Sequence, residues 1–307
     1  MKKELMKTIM TITALLVCVL VMDFGVGKVF DSLMYRMSNE GDKVARSNYA
    51  INTVNSEIII VGSSRAECHY NSRMMQDANL GGAVYNCGVD GSLFFYHITV
   101  INSILNRYTP KVIIWDMQLW DLEKDKQPEN LGLLYPYYWK NEYIRKLLNE
   151  QEPDLKFKIW LNVYRYNATG SRILRSLRSS QSNQLGFLSL SSNASLNKVD
   201  TKTSGLKQLP LEERKIQLFE ETIQRFVSSG VRIVIAHSPY CDEYKGKTST
   251  TACIEETCSK YGVEFINDSQ LPEFVGRTEY VYDAVHLNGE GANLFTSILI
   301  KQLNHDN

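Results

Sequence analysis

Apolar residues gather in short dense runs over much of this chain, separated by stretches with a helical repeat. "EIIIVG" (57–62), "AVYNCG" (83–88), "KVIIWD" (111–116), "VRIVIA" (231–236) and "VEFIND" (263–268) each read as a buried strand. Their β-branched residues follow one another without alternating with polar ones, as in a strand covered on both faces. Between them, "GSLFFYHITVINSILNRY" (91–108) fits an amphipathic helix stopped by Pro110. "LEERKIQLFEETIQRFVSSG" (211–230) repeats Leu211, Ile216, Phe219, Ile223 and Phe226 on one face and ends in glycine. "TTACIEETCSKYG" (250–262) and "NGEGANLFTSILIKQL" (288–303) complete the set. Strands alternating with helices predict an α/β fold of about five parallel strands, with helices on both faces. Such sheets bind ligands beyond the carboxyl ends of their strands.

Three regions depart from this rhythm. Residues 1–30 place three lysines before fifteen uncharged, mainly apolar residues, Thr8 to Met22. Those fifteen span roughly 23 Å as helix, and extension toward Phe30 reaches the ~30 Å hydrocarbon thickness of a bilayer. The segment is expected to be an uncleaved signal-anchor or a cleaved signal peptide, and no A-x-A-like cleavage site follows it. Either reading leaves the lysines in the cytoplasm and the remainder outside, in the periplasm or on the cell surface. Residues 31–55 are of mixed polarity and read as a connector to a domain over 56–305. Residues 117–208 interrupt that domain with aromatic and arginine-bearing runs. They are expected to form a largely helical insertion with a Ser/Asn-rich segment at 179–205.

Composition removes several classes of function. Lys+Arg and Asp+Glu both number 34, which does not suit a nucleic-acid-binding chain. No cluster with metal-ligand spacing and no Gly-rich phosphate loop occurs, so neither metal nor cofactor is expected. The six cysteines leave a bridge among Cys241, Cys253 and Cys258 open beside a role as small buried hydrophobes.

The residues just past the strands carry the candidate chemistry. The first strand runs into Gly62-Ser63-Ser64, the second into Asn86-Cys87-Gly88, the third into Asp116-Met117-Gln118. "YDAVHLNGEGANLF" puts Asp283 and His286 three apart before the closing helix. A serine nucleophile needs a base, and the base needs an acceptor on its other nitrogen. His286 and Asp283 supply both for Ser64. Backbone N–H groups of Ser64 and Gly88 are candidate oxyanion donors, with the Gln118 amide as a third. Arg65 could meet a substrate anion and His237 could line the cleft; for both, a structural or solvated role stands as the alternative. His69 lies too close to Ser64 in sequence to be taken as a base, and His97 reads as packing.

This arrangement resembles the SGNH (GDSL-type) hydrolase superfamily over about residues 56–116 and 209–305. "IIIVGSSRAE" corresponds to the first block, with Ser63 where the commoner pattern has aspartate. Gly88 in "YNCGVDGS" matches the second, and Asp283 and His286 in "YDAVHLNGEG" match the last. The resemblance implies a three-layer αβα flavodoxin-like sandwich and esterase or acyltransferase activity. It is most similar to membrane-anchored, cell-surface members, which implies an acylated glycan or another small ester as substrate and a membrane-bound acyl-transfer partner. The asparagine of the third block is missing from "IIWDMQLWD". That departure keeps a second reading, a non-catalytic membrane-tethered protein for glycan binding or assembly.

Overall fold

The computed structural model describes residues 1–34, 36–37, 42–124, 128–177, 184–191, 204–205 and 209–305. In chain order its helices are α1 (Lys2–Met34), α2 (Lys43–Asn52), α3 (Ser64–His69), α4 (Ser72–Asp77), α5 (Phe94–Leu105), α6 (Glu142–Gln151), α7 (Leu155–Lys158), α8 (Asn162–Arg165), α9 (Gly170–Ser176), α10 (Glu213–Ser229), α11 (Ser249–Tyr261) and α12 (Gly289–His305). Its strands are β1 (Ile58–Val61), β2 (Val84–Asn86), β3 (Val112–Asp116), β4 (Ser204–Gly205), β5 (Arg232–His237), β6 (Tyr244–Lys245) and β7 (Glu264–Asn267). The chain divides into two units, one of residues 39–130 and 181–307, the other of 1–38 and 131–180.

The first of these is the α/β unit. Its central sheet has the order β2-β1-β3-β5-β7, and every pairing is parallel. The order reverses at β1, so the chain leaves its neighbours β2 and β3 diverging at their carboxyl ends. Ile58, Ile60, Ile114, Val234 and Ala236 face a core closed by Phe295, Leu299 and Leu303 of α12. The opposite face carries Trp115, packed between Phe94 of α5 and Phe219 of α10. Both faces are dry along β1, β2, β3 and β5, which is why these strands read as unbroken apolar runs, whereas the edge strand β7, expected to be buried, is half-buried and ends in the exposed Asn267. β4 and β6 form a separate two-stranded pair.

Residues 31–55 do more than connect. Within them α2 packs into the α/β unit and buries Arg46 and Ser47. Arg46 pairs with Glu67 at 3.4 Å and donates to the Gly88 carbonyl from Nε (3.1 Å) and Nη2 (2.7 Å). Ser47 accepts a 2.6 Å hydrogen bond from Tyr96. The mixed polarity that reads as a connector belongs, in this helix, to buried polar side chains that have partners.

The second unit is helical, as expected of the insertion, and includes α1 with α6 to α9. The amphipathic α6 buries Ile144, Leu147 and Leu148. The last third of α1 is joined to the insertion by polar contacts through Asp23 and Asp31. Most of the Ser/Asn-rich segment 179–205 lies outside the described residues. All six cysteines are free, so the bridge left open among Cys241, Cys253 and Cys258 is not formed.

Candidate active site

β1 is four buried branched residues, and it stops because the chain must turn sharply into α3. Gly62 allows that turn: a Cβ there would lie 2.7 Å from both the Asp116 carbonyl and the Ala66 methyl. Ser63 is the N-cap, and its Oγ accepts from the Arg65 N–H at 3.3 Å. Ser64 is therefore the first residue of α3, half-buried just beyond the carboxyl end of β1.

The loop before α12 meets it there. His286 Nε2 lies 2.7 Å from Ser64 Oγ, and His286 Nδ1 lies 2.9 Å from each carboxylate oxygen of Asp283. The acceptor beside Nδ1 assigns its proton to that nitrogen, leaving Nε2 to accept from the serine hydroxyl. Asp283 Oδ1 also accepts from the backbone N–H groups of Val285 and His286, at 2.9 Å each. Partial burial alone would raise the Asp283 carboxyl, but these hydrogen bonds outweigh it and hold the group below its ordinary value. Ser64, His286 and Asp283 thus stand together in one hydrogen-bonded chain, 222 residues apart at its longest step.

Two other side chains of α3 reach the same loop. Arg65 is 2% exposed. Its Nη1 donates to the Val285 carbonyl at 2.7 Å. Nη2 donates to the carbonyls of Ser238 (2.7 Å) and Pro239 (3.0 Å) and to Ser238 Oγ (3.0 Å). The guanidinium stacks 3.6 Å over the Tyr240 ring. Arg65 is therefore not at the surface to meet a substrate anion; it ties strand ends to the histidine loop. His69, one helical turn on, is fully buried. Its Nε2 accepts from the Leu287 N–H at 3.0 Å, so the ring proton sits on Nδ1 and is donated to Ser238 Oγ, also 3.0 Å away. Burial, reinforced by the nearby Arg65 charge, holds this imidazole neutral, well below the ordinary histidine pKa. Residues 285 and 287, on either side of His286, are both gripped by α3.

Ser238 is braced in turn by Asp116, which accepts from the Ser238 N–H at 3.0 Å and from Tyr70 Oη at 2.6 Å. Burial raises Asp116 against the pull of Arg65 and these donors. His237 does not line an open cleft. It is fully buried, donating from Nδ1 to the Met117 carbonyl (2.6 Å) and accepting at Nε2 from Thr251 Oγ1 (3.1 Å). Burial lowers its pKa to about 4.

Of the three candidate oxyanion donors, one is engaged within the protein. The Gly88 N–H donates to Asn86 Oδ1 at 2.8 Å and is not free for a substrate oxygen in this arrangement. Asn86 holds that position by donating to the Ala66 and Tyr70 carbonyls. The Ser64 N–H, in the first turn of α3, has no partner among the described residues. Gln118 is half-buried just past β3, its N–H held by Asp121 at 2.9 Å, and its side-chain amide likewise has no partner among the described residues.

No known family profile matches the chain, and no curated protein matches it. Among solved structures it is similar to the esterase EstA of a Pseudoalteromonas species, inhibited by monoethylphosphonate, at 9% identity and a TM-score of 0.43, over 81% of this chain and 96% of that one. It is also similar to a Bacteroides fragilis chain assigned as an acylhydrolase, at 8% identity and a TM-score of 0.40, over 81% of this chain and 86% of that one. What the site can do rests on its own geometry.

Proposed function

We propose that this protein is a serine-dependent ester hydrolase or O-acyltransferase of the SGNH type. The observation that carries the reading is the 2.7 Å contact between Ser64 Oγ and His286 Nε2, with Asp283 2.9 Å behind the ring. Ser64 Oγ attacks the ester carbonyl while His286 Nε2 takes its proton. Asp283 holds the imidazole in the required tautomer and stabilises the cation that forms. The Ser64 N–H meets the developing oxyanion. His286 then returns the proton to the departing alcohol, leaving Ser64 acylated. A water or a sugar hydroxyl, deprotonated by the same nitrogen, takes the acyl group and restores the serine.

The membrane context belongs to the same proposal. Among the described residues α1 is the one helix long and apolar enough to cross a bilayer. Lys2, Lys3 and Lys7 would stay in the cytoplasm and the α/β unit would work outside. Retention of α1 is supported by Asp23 and Asp31, whose carboxylates serve Asn162, Val163, Lys140 and Arg165 of the helical unit. A tethered extracytoplasmic enzyme suits cell-envelope or exopolysaccharide esters, acetyl among them, supplied or consumed by a membrane-bound acyl-transfer partner.

One observation favours a second reading, a tethered glycan-binding or assembly protein without turnover. The Gly88 N–H is engaged and the third-block asparagine is missing, so the Ser64 N–H is the one backbone oxyanion donor in evidence. Each absent donor costs about 2.7–4 kcal/mol of transition-state stabilisation. Fluorophosphonate labelling of the full-length protein separates the two. The enzyme reading expects an adduct on Ser64, lost in Ser64→Ala and His286→Ala. A folded wild-type protein that takes no label overturns it in favour of the second.

A further inference from the structure

α1 ends inside the helical unit, and where it enters there is an apolar surface that the site does not use. Asp23 accepts from the N–H groups of Asn162 and Val163 and from Asn162 Nδ2, at 2.8, 2.8 and 3.0 Å. Gly27 makes room for Asn162, which a Cβ on that residue would strike. Asp31 receives Lys140, Arg165 and Tyr166, and Phe30 stacks on Tyr166 with centroids 5.0 Å apart. These contacts fix the α7–α8 corner beside residues 19–26 of α1, the level at which its uncharged run ends.

That corner displays what a soluble surface avoids. Phe157 is 74% exposed and Trp160 70%, with Leu161 and Val163 also exposed. Trp160 packs on the half-exposed Trp139, centroids 4.7 Å apart. Lys156 and Lys158 flank Phe157. A groove of about 590 Å³ runs between Val19, Met22 and Val26 of α1 and Leu161 and Val163 of the corner. Clustered Trp with flanking Lys at the end of an apolar helix is the composition of a membrane–water interface.

We propose that the α7–α8 corner is an interfacial membrane platform. Phe157, Trp160, Leu161 and Val163 enter the leaflet that α1 leaves, a lipid acyl chain fills the groove, and Lys156 and Lys158 meet the lipid phosphates. The proposal rests on the reading of α1 as a membrane span. Its consequence is that the helical unit is held flat on the bilayer rather than swinging from a tether.

The test uses the full-length protein in phosphatidylcholine nanodiscs with brominated acyl chains, which quench indole fluorescence on contact. The wild type is expected to be quenched, and Trp160→Phe with Trp139→Phe to lose most of the quenchable emission. Trp115, buried in the α/β unit, and Trp120 supply the unquenched remainder. Leu16→Trp, mid-way along the exposed part of α1, reports the span separately. Strong quenching at position 16 with none assignable to Trp160 and Trp139 overturns the platform and leaves the span intact. No quenching at position 16 overturns the span reading and the platform with it.

Discussion

His286 owes its position to α3, and replacing His69 tests this. In His69→Phe the ring volume is kept but the acceptor for the Leu287 N–H is lost, along with the donor to Ser238 Oγ. Leu287 is 1% exposed, so water cannot replace the lost partner. An unmet buried N–H costs about 1–3 kcal/mol. Ser238 Oγ keeps its 3.0 Å bond from Arg65, so little is added there. The loop can recover that cost only by moving residue 287 toward another acceptor, and residue 286 moves with it. A displacement near 1 Å at a reacting group is worth on the order of 10²-fold in rate. His69→Phe is therefore expected to slow fluorophosphonate labelling and ester turnover at least ~10-fold, in kcat more than KM, with a modest loss of stability. His69→Gln offers an amide oxygen near the place of Nε2 and should recover much of the rate. Stopped-flow labelling and p-nitrophenyl acetate hydrolysis, with urea unfolding alongside, make the measurement. A folded His69→Phe that labels at the wild-type rate would refute the clamp, because the register of residue 287 would then have no bearing on His286.

Other outcomes follow from the same contacts. Arg65→Met leaves three carbonyls without their donor and Tyr240 without its stacking partner, and should cost about 3–5 kcal/mol in urea unfolding. Arg65→Lys should restore little, since an ammonium cannot reproduce the fork. Arg46→Met strands the buried Glu67, whose carboxyl burial already raises against the Arg46 charge, and should cost a similar ~3–5 kcal/mol. A chain begun at Glu57, lacking α2, should be less stable still and poorly soluble. His97 is fully buried, with burial lowering its pKa to about 3. It stays neutral in the folded state while the unfolded chain takes up a proton below pH ~6.5, so its share of stability is lost as pH falls from there toward 3. His97→Phe should remove that loss, making the unfolding free energy less steep in acid by up to ~1.4 kcal/mol per pH unit between pH 6 and 4. Equal slopes in both proteins would contradict the buried neutral imidazole.

The sheet could be read from the chain because both of its faces are dry. "IIIV" and "RIVIA" carry no polar alternation to confuse with a half-exposed strand. α10 showed its stripe for the same reason, with Phe219 and Phe226 packed inward one apolar face at a time. α3 was hidden, since six residues give no periodicity to read. Arg65 looked like a solvated neighbour of the serine because its partners, Ser238, Pro239 and Val285, lie 173 to 220 residues away. α2 escaped because its buried positions include Arg46 and Ser47 rather than an apolar stripe. The serine, histidine and aspartate were legible by their places after the first strand and before the last helix. The engagement of the Gly88 N–H is not legible, because an N-x-G turn gives no local sign that the asparagine side chain folds back onto the glycine N–H.

The clamp also explains how an imidazole from an exposed loop can be held to 2.7 Å of a serine near the start of the domain. Val285 is exposed and the Asp283 side chain is 45% exposed, so packing alone fixes this loop poorly. Loops of that kind sit at the low-stability end of a protein. α3 carries Ser64 on its first residue and two grips, Arg65 and His69, further along the same short helix. The separation of Ser64 from His286 is therefore set across one short rigid helix rather than through the sheet. Both grips converge on Ser238, at the end of β5, which Asp116 at the end of β3 holds in place. The carboxyl ends of β1, β3 and β5 thus meet the histidine loop through four buried side chains. Loosening His69 should therefore act on the rate before it acts on the fold, whereas removing Arg65, which holds three carbonyls at once, should tell on both.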